Sequence, residues 1–188
     1  MGNLSIGTQG ASYYDWARKG KIYVAYASVT TPVIYSTAAG TGGPLLWNNS
    51  LASGSAVNAV ILAVSAGLTT ATSVASTLGL TGNSGQTSAP TSTTTIDAVG
   101  CTYIGQGTGT SPACNTYRIG TVANAGSFFM PTHTLDTGAI TTVNVLPSWV
   151  DIGGAVIVPP GSWCSLAAAA TATSGVCRVG MMWVEIPI

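Results

Sequence analysis

The chain has 188 residues, five of them basic and five acidic, so that only 5% are charged against 46% hydrophobic. That length suits one domain with a sizeable core. No run of Lys or Arg tracks a phosphate backbone, and the longest apolar stretch, within AVNAVILAVSAGL, is far shorter than the roughly 20 residues of a membrane-spanning helix, so nucleic acid and membrane are excluded as expected partners. An ordinary soluble domain is roughly 25% charged. With so little like-charge repulsion, a free monomer is expected to associate, which favours a subunit of a large assembly over a secreted or cell-surface β protein.

Residues 1–20 read as an extended N-terminal arm. They are polar and glycine-spaced, and they set Tyr13, Tyr14 and Trp16 beside Arg18 and Lys19. Aromatic side chains bury large areas where they dock, so the arm is expected to pack on the body or on a neighbour. The first residues have no basic start followed by an apolar core, so the expectation is synthesis and retention in a cytosol. Ile6 departs from the myristoylation pattern.

From Lys21 the chain turns β. KIYVAYASV, PVIYST, PLLWN, AVNAVILAVSA and TSVASTLGL are strand candidates, with turns expected at 65–70. Residues 81–95, TGNSGQTSAPTSTTT, read as a polar loop, and further strands are expected at 96–104, 114–122, 126–130 and 139–146. The remainder holds three apolar runs, split by Pro159-Pro160-Gly161 and by the small-residue stretch from Ala167 to Gly175, and these read as three adjacent antiparallel strands. Gly153-Gly154 marks a bulge or a close backbone approach in the first of them. Helical propensity is confined to 167–172, too short to nucleate alone. Short strands spaced by Gly, Pro, Asn and Thr predict an all-β protein, an antiparallel β-sandwich or jelly roll, with residues 21–188 as a single domain.

The final run is apolar in both alternation classes. Val176, Met182, Val184 and Ile186 fall on one face, and Cys177, Val179, Met181 and Trp183 on the other. An antiparallel strand with one wet face alternates apolar with polar, so this strand is expected in the interior of a sheet, covered by the core on one side and by a neighbouring subunit on the other. Met181, Met182, Trp183 and Val184, with Glu185 and Arg178, are therefore the candidate subunit contacts.

Chemistry is harder to find. His133 in PTHTLD is read as a loop residue, since no G-x-S-x-G accompanies it, and Asp15, Asp97, Asp136, Asp151 and Glu185 are scattered. No catalytic, cofactor or metal residue is assigned. Cys101 and Cys114, and likewise Cys164 and Cys177, are separated by twelve residues. Cross-strand pairing within each couple would close a loop and stabilise by roughly 3 kcal/mol, after release from the cell. Buried free thiols are the alternative in a reducing cytosol. Trp163 and Trp183 are expected to pack inside or in an interface, whereas exposed aromatics beside polar groups would mark a glycan-binding face.

The segments TGGPLLWNNSLASGSAVNAVILAVSAG, TSVASTLGL and GGAVIVPPGSWCSLAAAATATSGVCRVGMMWVEIPI, in that order, resemble small jelly-roll structural proteins of tailed bacteriophages. Leu46-Trp47-Asn48 stands at the apolar turn of that pattern, Pro159-Pro160-Gly161-Ser162 before its closing strands, and Trp183-Val184-Glu185-Ile186-Pro187 at its end. The match covers roughly half the chain and leaves 81–135 outside it. The resemblance implies a non-enzymatic virion component assembled in the host cytoplasm. It would be a homotrimer of tumour-necrosis-factor-like jelly rolls that decorates or cements a capsid, with copies of itself and the major capsid protein or other virion proteins as partners. Two other classes compete: a tail-fibre or receptor-binding module that takes glycans, and a cell-surface adhesin or pilus-like subunit, which needs an export signal.

Overall fold

Runs of Val, Ile, Leu and Ala bounded by Gly, Pro and Asn favour extended backbone, and the chain is built almost wholly from it. The computed structural model describes residues 15–30, 45–52, 54–70, 75–86, 88–95, 99–100, 112–122, 126–135, 148–169 and 175–188. Within them lie eleven strands: β1 (Ile22–Thr30), β2 (Leu45–Asn48), β3 (Val57–Thr70), β4 (Ser76–Asn83), β5 (Thr91–Thr95), β6 (Val99–Gly100), β7 (Asn115–Thr121), β8 (Ser127–Leu135), β9 (Ser148–Val158), β10 (Ser162–Ala168) and β11 (Val176–Pro187). A single helical turn spans residues 15–18.

All pairings are antiparallel, and they form two sheets. One has the order β6-β1-β11-β3-β9, the other β5-β7-β2-β10-β4-β8. Strands from both contribute to one buried cluster that includes Tyr23, Leu46, Ile61, Leu80, Leu166, Met181 and Trp183, so the sheets enclose a common core. Tyr23 and Trp183 stack within it, ring centroids 5.7 Å apart. The last strand is central, hydrogen-bonded along its length to β1 on one side and β3 on the other.

The three C-terminal runs are strands, but they are not adjacent. β9 and β11 flank β3 in the first sheet, whereas β10 lies in the second between β2 and β4. The turn at Pro159-Pro160-Gly161 therefore carries the chain from one sheet to the other rather than closing a hairpin. Residues 65–70 continue β3 instead of turning, because Ser65 and Gly67 pair with Gly180 and Arg178 of β11. The polar segment 81–95 is not all loop: β4 runs to Asn83, and Thr91–Thr95 pairs with β7. Threonine is β-branched, and polar character does not keep it from an edge strand. His133 likewise sits in β8 opposite Leu78 rather than in a loop. The bulge at Gly153-Gly154 is present, with φ of 60° and 81° and a register shift against β3 between Ile61 and Ala63. The expected strand at 139–146 and the run PVIYST lie outside the described residues.

Candidate functional site

The first and last of the three segments quoted for the resemblance converge on one end of the molecule, where β2, β4, β9 and β11 finish and β3, β8 and β10 begin. Asn48 is their hub. Its buried side-chain amide donates to the Val57 carbonyl at 2.8 Å and to the Val158 carbonyl at 2.7 Å, and its Oδ1 accepts from the Ser50 N–H at 3.1 Å. Its own carbonyl accepts from the Gly161 N–H at 2.8 Å, and the Gly161 carbonyl accepts from Gln86 N–H at 2.7 Å. Two strands of one sheet are thereby tied to a strand and two loops of the other. Val57 pairs with Pro187, and the Ile188 N–H donates to the Ala56 carbonyl, which brings the end of β11 to the same corner.

This end is apolar outside as well as inside. Leu51 is 68% exposed and Ile188 72%, and Phe129 and Ile157 are also exposed. These are four of the six exposed large hydrophobic side chains among the described residues. Beside them a cleft of about 190 Å³ opens between the edge strands of the two sheets, lined by Gly82, Phe129, Val156, Ile157, Pro159 and Trp163 among others.

The expected subunit contacts on β11 are placed differently. Met181, Trp183 and Glu185 point into the core, which corrects their assignment to an interface: a side chain wholly inside the protein has nothing to offer a partner. Glu185 is occupied there. Its Oε2 accepts from the Ala113 N–H at 2.8 Å and its Oε1 from the Cys114 N–H at 3.0 Å, with the Trp183 indole N–H donating to Oε1 at 3.4 Å. Val184 does lie on the outer face, but the chain itself covers it. Trp16 and Ala17 pack against the buried cluster of Ile22, Leu62 and Val184, with Met182 and Ile186 partly buried alongside. The turn that places Trp16 is held by Lys19 N–H to the Asp15 carbonyl and Lys21 N–H to the Trp16 carbonyl, and the Lys19 ammonium stands 5.1 Å from the indole centroid. Arg18 is exposed, and of the expected β11 contacts Arg178 alone is exposed. Tyr13 and Tyr14 lie outside the described residues.

The cysteines are also placed differently. Cys164 on β10 and Cys177 on β11 belong to opposite sheets and are both free, so the expected cross-strand disulfide does not form: consecutive strands here are not neighbours. Cys114 is free too, and Cys101 lies outside the described residues. Burial pushes the Cys164 thiol up to about 12 and that of Cys177 up to about 11. Burial also raises Cys114, and the charge of Glu185 and a hydrogen bond to it raise it further. These are inert, protonated thiols rather than nucleophiles. His133 is anchored, with Nε2 3.1 Å from the Ser148 carbonyl oxygen and Nδ1 2.9 Å from Thr132 Oγ1.

The sequence placed Asn48 only in the apolar turn of the resemblance, without its hydrogen bonds, and did not mark Leu51, Phe129, Ile157 or Ile188 as exposed. An asparagine at the end of an apolar strand is a weak signal for a side chain that bonds backbone. The grouping of the four apolar residues has no sequence signal, since they come from four distant segments.

Compared with protein-family models, with curated proteins and with solved structures, the chain matches none.

Proposed function

We propose that the protein is a non-enzymatic structural subunit, a homotrimeric jelly roll that decorates or cements the capsid of a tailed bacteriophage. The jelly-roll reading is supported by strand order. Leaving out the inserted β5, β6 and β7, the four pairs β1–β11, β2–β10, β3–β9 and β4–β8 are those of one long antiparallel ribbon, and the ribbon is rolled so that successive pairs alternate between the two sheets. Rolling such a ribbon produces the two Greek keys of a jelly roll.

The observation that carries the assembly reading is the apolar end. Leu51, Phe129, Ile157 and Ile188 are exposed at this end, and Phe129 and Ile157 line a preformed cleft there, on a chain of which 5% is charged. Monomers seldom leave large apolar side chains grouped in this way, and burying them in a contact is favourable at about 25 cal/mol per Å². A subunit that adds such contact across capsid junctions stabilises the shell by binding alone.

Gold labelling of the particle in the electron microscope tests the location. Label on the head is expected. Label on the tail, or none, would remove the decoration reading while leaving self-association to be judged from the mass of the purified protein.

A further inference from the structure

The two remaining exposed large hydrophobic residues, Tyr26 and Trp149, lie away from the apolar end, on the outer face of the first sheet. They close a row that crosses four strands, paired Tyr26 with Gly180, Gly180 with Ser65, and Ser65 with Trp149. Gly180 and Ser65 are buried although they occupy an outer face. A Cβ placed on Gly180 would come 3.6 Å from the Cη2 tip of Trp149 and 2.6 Å from Ser65 Oγ. Strands in a sheet lie about 4.8 Å apart. Gly180 is two strands away from Trp149, so the ring tip reaches it only if the indole lies flat across β3. A flat indole turns one face to the protein and the other to solvent, in keeping with 52% exposure for Trp149, and Tyr26 at 47% bounds the far end.

Two charged side chains flank this platform. Arg178 stands two residues before Gly180 on β11 and Asp151 two residues after Trp149 on β9; these strands run parallel, so on this face the two lie on opposite sides of the row, each about 7 Å along its strand. The Gly153 N–H holds Asp151 Oδ1 at 2.8 Å, and the bulge that supplies this donor fixes the direction of the exposed carboxylate.

We propose that this row is a carbohydrate-binding platform, on which one pyranose ring of an oligosaccharide stacks against Trp149 while Asp151 and Arg178, on opposite sides of the row, bond hydroxyls along the sugar chain. The C–H face of a pyranose is apolar and complements the negative face of an aromatic ring. Its hydroxyls both donate and accept, so they suit a carboxylate that only accepts and a guanidinium that only donates. A flat apolar partner would bury those two charges unpaired. A Cβ on Gly180 would meet the indole tip at ordinary contact distance and crowd Ser65 Oγ, so only a side chain larger than that of alanine would lift the indole. The proposal does not rest on the capsid reading, since platform and apolar end are separate surfaces.

Isothermal titration of the full chain with cellohexaose, chitohexaose and the soluble polysaccharide chain of a bacterial lipopolysaccharide tests it. Saturable binding of at least one probe is expected. Trp149→Ala should weaken it by at least about tenfold, Arg178→Ala by less, and Trp149→Phe should retain part of it. Arg178 is exposed, so its variant keeps the test open should Trp149→Ala fail to fold. Absence of binding by the wild type to all three probes overturns the proposal. So does binding unchanged in Trp149→Ala, or, if that variant does not fold, unchanged in Arg178→Ala. A wild type that binds no probe and a Trp149→Ala variant of altered oligomer mass would assign the row to a subunit contact instead.

Discussion

Asn48 and Glu185 do the same work at two places: each is a buried side chain that satisfies backbone groups which strand pairing leaves over. Asn48→Ala strips the donors from the Val57 and Val158 carbonyls, and Glu185→Ala strips the acceptor from two N–H groups beside Cys114. Each change is expected to destabilise by about 2–4 kcal/mol, read as a lower midpoint in urea. A loss below about 0.5 kcal/mol would show that water replaces the bonds. The thiols give a pH dependence with a definite sign. An unfolded cysteine ionises near 9.0, whereas Cys177 and Cys164 stay protonated to about 11 and about 12 in the folded protein. Above pH 9 the native state therefore holds more protons, so stability is intact below that pH and falls as pH rises through 11 to 12. The urea midpoint of the wild type should drop more between pH 8 and 10.5 than that of Cys164→Ala. At this scale the sequence was legible in part. The double apolar face of β11 correctly implied cover on both sides, but the pattern records burial and not its agent, and on the outer face the agent is Trp16 of the same chain.

The strands were more legible than their arrangement. Val, Ile and Tyr in short runs marked β1, β3 and β11, whereas partners are chosen by contacts distant in sequence, so the sheet change at Pro159-Pro160-Gly161 left no local trace. Threonine-rich β5 was hidden because its residues are polar, and β3 was cut short on paper because Ser65 and Gly67 look like turn residues when their β11 partners are unseen. Two elements yield tests. The helical turn at 15–18 covers Ile22, Leu62 and Val184, so Trp16→Ala should cost about 1–3 kcal/mol and lower the thermal midpoint. An unchanged midpoint would mean that the turn adds nothing. Before β8, Gly126 passes over Trp163 so closely that a Cβ would fall 2.4 Å from the indole Cη2 and 2.6 Å from Thr81 Oγ1. Gly126→Ala is expected to destabilise by about 1–3 kcal/mol through overpacking, with a red-shifted Trp emission as the indole is displaced.

For the whole molecule, low charge leads to an expectation of association, yet composition cannot say through which surface. The cover expected on the Val184 face of β11 is supplied by Trp16 and Ala17 of the arm, and four of the six exposed large apolar side chains among the described residues lie at the end built around Asn48. Leu51, Phe129, Ile157 and Ile188 are brought to the same end by topology alone, and this is why that end was illegible before the fold. Association through that end is the central claim, and light scattering on the purified protein at micromolar concentration tests it most directly. A mass of three chains is expected, falling to a folded monomer in the double variant Leu51→Glu, Ile157→Glu. A wild type that remains a stable monomer, or a double variant that keeps the trimer mass, would contradict it.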